Sequence, residues 1–201
     1  AVVATAYWAH IADLMAKIAD VLGGAGDAAA YRALANRVRA AFLDAFVDAD
    51  GRIAGDTQTA YLLALDFDVL PVERRGEAAA HLLRRIADAD GHLQTGFLGV
   101  KHLCPVLADI GATGAAYDLL LNDTYPSWGF SIRHGATTIW ERWDGWTPER
   151  GFQSPNMNSF NHYAYGAVGE WLYARVAGID WDEQAPGFRA IRFRPLFERR
   201  I

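Results

Sequence analysis

The spacing of three short segments constrains this chain more than any other feature. Asp48-Ala49-Asp50-Gly51-Arg52-Ile53 is echoed by Asp88-Ala89-Asp90-Gly91-His92-Leu93 about 40 residues later. Ser127-Trp128-Gly129-Phe130-Ser131-Ile132 occupies the corresponding slot roughly as far on again. Two helical stretches lie between successive slots. A period near 40 with two helices per unit describes stacked α-hairpins, either an open solenoid or a closed α/α toroid. The loops that follow each second helix then emerge at one end, where a toroid places its binding face.

The helices themselves are read from periodicity. Ile11, Leu14, Ile18 and Val21 recur at helical spacing and are stopped by Gly23-Gly24. Tyr31, Leu34, Val38, Phe42 and Phe46 do the same over residues 27–47, with Asp27 as the expected cap. Further helices are expected over 57–69, 73–87, 97–110, 113–121 and 159–177, which makes about seven. After Gly178, the segment Phe188-Arg189-Ala190-Ile191-Arg192-Phe193-Arg194-Pro195 partly alternates apolar and basic residues, as a half-buried strand does. Within this chain the strand has no evident sheet to join.

Composition excludes several classes. Hydrophobic residues make up 52% and charged residues 21%, the balance of a globular chain. The net charge of −5 argues against a nucleic-acid partner, and no apolar run reaches the length of a membrane helix. One cysteine, Cys104, excludes an internal disulfide and a cysteine-based zinc site. The Asp-x-Asp-Gly segments begin like calcium loops, but Thr59 and Gly99 stand where the twelfth-position Glu belongs; they are read as turns, and no metal or cofactor is expected. Ala1-Val2-Val3-Ala4 carries no signal-peptide pattern, so a soluble chain is expected, and it starts as abruptly as if cut from something longer.

Two clusters concentrate the chemistry. Of seven Trp, four (Trp128, Trp140, Trp143, Trp146) crowd together around Thr137-Thr138-Ile139-Trp140-Glu141-Arg142-Trp143-Asp144-Gly145. Flat aromatic faces beside carboxylates suit a sugar: the ring packs on C–H groups, an indole N–H donates, and a carboxylate moves a proton. On that reading Glu141 is a catalytic candidate, with Trp140 and Trp143 as binding residues. The competing reading is a Trp-rich plug in which Arg142 holds Glu141. In the second cluster, Asn158-Ser159-Phe160-Asn161-His162-Tyr163-Ala164-Tyr165-Gly166, a cap at Asn158 or Ser159 would put Asn161 and His162 in the first turn of the last helix. There His162 either bonds a substrate hydroxyl or packs against a carbonyl.

Together these clusters resemble the bacterial α-L-rhamnosidases of glycoside hydrolase family 78. Thr57-Gln58-Thr59-Ala60, His92-Leu93-Gln94-Thr95-Gly96-Phe97 and Asp123-Thr124-Tyr125-Pro126-Ser127-Trp128-Gly129 also look like that family's motifs, in the same order. The resemblance implies an all-α (α/α)6 barrel, with residues 1–180 as the C-terminal part of the catalytic domain. About seven of the twelve helices would be present. Residues 181–201 would be a linker and the first strand of a following β-sandwich. It further implies hydrolysis of terminal α-L-rhamnosides with inversion, Glu141 as general base and His162 as a sugar contact, joined by Trp143, Trp140 and Asn161.

The family's general acid lies in an Arg-(Asp/Glu)-Glu-Arg-Leu-Gly-Trp motif, which this chain lacks. Inversion needs a second carboxyl roughly 6.5–9.5 Å from the first, so the acid is expected on a missing N-terminal part of the barrel and the chain alone should be inactive. Asp144 and Glu149 are the in-chain substitutes. The alternatives are another α/α-toroid glycosidase, trehalase-like or glucoamylase-like, or a non-catalytic helical-repeat or carbohydrate-binding module.

Overall fold

The computed structural model describes residues 1–198; the end of the expected 181–201 segment, from 199 on, lies outside them. The chain divides into two compact units, the first Ala1–Asp90 and the second beginning at Gly91.

The first unit is built from two helical hairpins. Helices α1 (Val2–Val21) and α2 (Ala25–Phe46) are joined by a short turn. The buried stripe of α1 is Ala6, Ala9, Ala12 and Ala16, and it meets Ala28, Ala35, Val38 and Phe42 of α2. Small side chains on both helices let the two backbones approach closely. The larger apolar positions that recur at helical spacing lie on the other side of α1: Ile11 is 52% exposed, Ile18 50% and Val21 87%. Asp27 is not the cap of α2 either. Gly24 holds that position and Asp27 lies in the first turn, where its charge complements the helix dipole.

Helix α3 (Gln58–Asp66) starts where Thr57 Oγ1 accepts the Ala60 N–H at 3.2 Å, and it is buried from Gln58 to Leu65 apart from Thr59. Helix α4 (Val72–Ala87) follows Pro71 and turns Ala78, His81, Leu82 and Ile86 inward. The Asp48 carboxylate accepts the N–H groups of Asp50 and Arg52, at 3.0 and 2.9 Å, which makes the first Asp-x-Asp-Gly segment an Asx-type turn.

In the second unit, α5 (Phe97–Asp109) and α6 (Thr113–Leu121) form another hairpin. The third repeat slot departs from the first two. Ser127 Oγ accepts the Phe130 N–H at 2.9 Å and starts a six-residue helix, α7 (Trp128–Arg133), where the repeat had suggested a turn. Gly129 makes this possible, because a Cβ there would stand 2.3 Å from the Asn122 carbonyl oxygen. The chain then runs through irregular backbone containing a two-residue ribbon, β1 (Trp146–Thr147) and β2 (Gly151–Phe152).

The expected last helix is shorter and mixed. A 3-10 turn at Ala164–Ala167 leads into α8 (Val168–Trp171), which widens to a π turn at Leu172–Val176. Trp171 is buried and packs edge-on to Tyr117 at 5.3 Å. Strand β4 (Ile191–Phe193) is not alone, as the sequence had suggested. It pairs antiparallel with β3 (Ile179–Trp181), Asp180 opposite Arg192. Gly178 sets up the pairing with φ +71°, and a Cβ there would lie 2.1 Å from Pro195 N. The fold is mostly helical with small sheets, as expected. Among the described residues no helix is long and apolar enough to cross a membrane.

Candidate functional site

The two chemistry-bearing motifs lie in the second unit and run antiparallel. The Glu141 N–H donates to the Ser159 carbonyl at 2.9 Å, and the His162 N–H donates to the Ile139 carbonyl at 2.8 Å. Thr138 adds a hydroxyl bond to the Phe160 carbonyl. Because residues 159–162 use their backbone this way, they cannot begin a helix. Asn158 and Ser159 are therefore not helix caps, and Asn161 and His162 lie in a bend ahead of Ala164.

This ribbon fixes Glu141 twice. Its backbone pairs with Ser159, and its Oε2 accepts the Ser159 N–H at 2.7 Å. One carboxylate oxygen is thereby oriented by a rigid donor, while Oε1 makes no hydrogen bond to a described residue. Arg142 does not hold Glu141. It grips Asp144 with both ends of its guanidinium, Nε to Oδ1 at 2.9 Å and Nη2 to Oδ2 at 3.1 Å, and Arg150 approaches the same carboxylate at 3.7 Å. Both oxygens of Asp144 are thus engaged by Arg142.

The aromatic residues divide into working faces and walls. Trp143 stacks flat on Tyr165, with ring centroids 3.8 Å apart and planes 4° from parallel. Its indole N–H donates to the Thr95 carbonyl at 2.9 Å. Trp128 meets Trp143 edge-on at 5.4 Å and donates its own N–H to the Tyr165 carbonyl at 2.9 Å. Neither indole N–H is thus left over for a sugar hydroxyl, and these residues offer ring faces and edges instead. Trp140 is 7% exposed and packs edge-on to Phe160. Trp146 is turned against His134.

A cavity of about 270 Å³ opens between Trp128, Ile132, Ile139, Trp140, Trp143 and Tyr165. Its walls are mainly apolar and include three of the four crowded Trp, but neither Glu141 nor His162. The ring of His162 is sandwiched between Phe97, at 4.9 Å, and Tyr163, at 5.2 Å. Its Nδ1 accepts the Ala164 N–H at 3.3 Å, which puts the imidazole proton on Nε2 and makes that nitrogen a donor. Asn161 is exposed; its backbone N–H donates to Ser159 Oγ at 3.1 Å, and its side-chain carboxamide makes no hydrogen bond to a described residue.

Three participants were not singled out from the sequence: Thr95, Phe97 and Tyr165. All three stand inside motifs quoted above. Tyr165 is 6% exposed, and burial together with the Asp144 carboxylate pushes its phenol up to about 12. Tyr125 is raised for the same two reasons. Among the described residues no group of three or more His, Cys, Asp or Glu could hold a metal ion.

Known proteins match this geometry and sequence closely. The profile of the bacterial alpha-L-rhamnosidase 6 hairpin glycosidase domain matches residues 1–176. An alpha-L-rhamnosidase of Streptomyces avermitilis is 53% identical over 96% of the chain, and one of Formosa agariphila is 48% identical over 96%. These alignments cover 18% and 21% of the two relatives, so the chain spans about a fifth of their length. The crystal structure of the Streptomyces avermitilis alpha-L-rhamnosidase complexed with L-rhamnose superposes with a TM-score of 0.91 at 52% identity, over 96% of this chain and 18% of that one. The structure of native alpha-L-rhamnosidase from Aspergillus terreus gives 0.90 at 34% identity, over 96% and 22%.

Proposed function

Because the chain belongs to the bacterial α-L-rhamnosidase six-hairpin glycosidase family, we propose that it supplies the base-bearing side of a site that hydrolyses terminal α-L-rhamnosides with inversion. The observation that carries this reading is the state of Glu141. Its Oε2 is pinned by the Ser159 N–H while Oε1 has no partner among the described residues. A general base needs this arrangement, with orientation fixed at one oxygen and a lone pair open at the other to take a proton from water.

The other residues take supporting roles. The His162 Nε2–H donates to a sugar hydroxyl, and the sandwich of Phe97 and Tyr163 holds the imidazole plane. Trp143 offers a ring edge to the apolar side of the sugar, Trp140 walls the adjoining cavity, and Asn161 reaches the sugar from the bend beside His162. Water attacks the anomeric carbon from the face opposite the leaving group, with Glu141 accepting its proton as the glycosidic bond breaks. The leaving oxygen takes its proton from an acid on the other side of the ring, roughly 6.5–9.5 Å from the base. Asp144 is clasped by Arg142, and this reading assigns the acid to the family motif that these 201 residues lack rather than to Asp144 or Glu149. No cofactor or metal enters this scheme.

The test is Glu141→Gln in the complete enzyme carrying this sequence. Hydrolysis of an aryl α-L-rhamnoside should fall at least about a hundredfold while L-rhamnose still binds. Near-normal turnover would remove Glu141 from the base role. A parent enzyme that cleaved other aryl glycosides and spared the α-L-rhamnoside would overturn the substrate.

A further inference from the structure

The motif that runs from Asn158 to Gly166 supplies Asn161 and His162 to the scheme above, while its first residue, Asn158, has no part in it. Asn158 is half-buried, and its side chain reaches back to the loop that carries Glu141. Its Nδ2 donates to the Gly145 carbonyl at 2.9 Å and, more weakly, to the Gln153 carbonyl at 3.4 Å. These partners fix the orientation of the amide, since Oδ1 in the same place would face two carbonyl oxygens. The approach is close: a Cβ on Gly145 would stand 2.9 Å from Asn158 Oδ1.

Two consecutive residues therefore hold both ends of the loop from Glu141 to Gly145. At its start the Glu141 N–H donates to the Ser159 carbonyl at 2.9 Å. At its end Gly145, whose N–H closes a turn onto the Arg142 carbonyl at 3.2 Å, is clamped by Asn158. Between the two attachments lies the planar peptide that joins Asn158 to Ser159. Its N–H is the one that donates to Glu141 Oε2 at 2.7 Å. Stability alone does not account for the clamp. The Gly145 carbonyl already accepts the Gln153 N–H at 3.0 Å, and Asn158 Oδ1 is buried with no partner among the described residues, which costs stability.

Resting on the rhamnosidase reading above, we infer that Asn158 is a positioning residue for the general base. Its hold on Gly145 and Gln153 fixes the Asn158–Ser159 peptide, and the N–H of that peptide aims the Glu141 carboxylate. Asn158 acts through Glu141 and not on the sugar. Misplacing a reacting group by an ångström costs up to about a hundredfold in rate.

The experiment places Asn158→Ala in the complete enzyme carrying this sequence, in two backgrounds, the parent and Glu141→Gln. In the parent, kcat on an aryl α-L-rhamnoside should fall about ten- to a hundredfold. KM, and L-rhamnose binding followed by tryptophan fluorescence, should stay within about twofold. In Glu141→Gln the residual rate should not fall further, because the carboxylate that Asn158 positions is gone. Asn158→Asp, which keeps the shape and loses the amide donors, should show the same split. An unchanged kcat in both variants would overturn the inference and leave the rhamnosidase reading intact. So would equal losses of kcat in the two backgrounds, or L-rhamnose binding that falls in step with kcat, either of which makes Asn158 a staple of the fold. Near-normal turnover by Glu141→Gln itself would overturn both.

Discussion

His162 illustrates how far a single side chain is set by its neighbours. The Ala164 N–H occupies Nδ1, two flat rings fix the plane, and the remaining proton stands on Nε2. Removing that donor with His162→Ala should weaken L-rhamnose binding about three- to tenfold. His162→Gln, whose amide nitrogen reaches the place of Nε2, should restore part of it, and equal losses in both variants would show that the imidazole only packs. Glu141 and His162 stand out in the sequence because each lies in a short motif of unusual composition. The competing reading, in which Arg142 holds Glu141, fails because adjacency in sequence says nothing about which way two side chains turn, and Arg142 turns to Asp144. The partners of the indole N–H groups were out of reach for another reason. Thr95 stands 48 residues from Trp143 and Tyr165 stands 37 from Trp128, and both accept through backbone carbonyls that no residue type advertises.

Elements were legible where local chemistry decides them. The start of α3 agrees with the sequence reading because Thr57 caps it, and the span of α6 agrees as well, whereas α3 ends at Asp66, short of the expected 69. The last helix was drawn too long because pairing between 139–141 and 159–162 competes for the same backbone groups, and periodicity does not register that competition. Helix α7 depends on one close approach. Gly129→Ala should destabilise the second unit by at least about 2 kcal/mol, measured as a lowered urea midpoint, because the Asn122 carbonyl cannot retreat without disturbing the chain that leads into the helix. The β3–β4 hairpin has a pH dependence of known sign. The Gln184 N–H and Arg192 hold the Asp182 carboxyl below its ordinary value. The stabilisation is therefore complete above the ordinary carboxylate range and is lost as pH falls through the lowered value. The protection factors of the Ile191–Phe193 amides, with the intrinsic pH dependence of exchange divided out, should fall on acidification, and Asp182→Asn should remove that fall.

At the scale of the molecule, the repeat near 40 residues announced paired helices, and the hairpins of both units have them. What the period could not convey is which side of a helix faces inward when alanines and larger aliphatics share it. In α1 the alanines face α2, and Trp8, Ile11, Leu14, Ile18 and Val21 form a stripe along the water-facing side, from 42% to 87% exposed. Exposed aliphatic and aromatic side chains along one helix face are a surface prone to association. Ile191 and Phe193 of the terminal hairpin are exposed as well. A net charge of −5 offers only weak mutual repulsion to offset the stripe. Colloidal behaviour follows directly: the 201-residue chain should light up hydrophobic dyes, cling to phenyl resins in sulfate, and elute earlier from size-exclusion columns as it is concentrated. Ile11→Glu combined with Ile18→Glu should abolish all three without changing the helical circular dichroism. In the laboratory, one helix face sets the concentration at which this chain can be kept in solution.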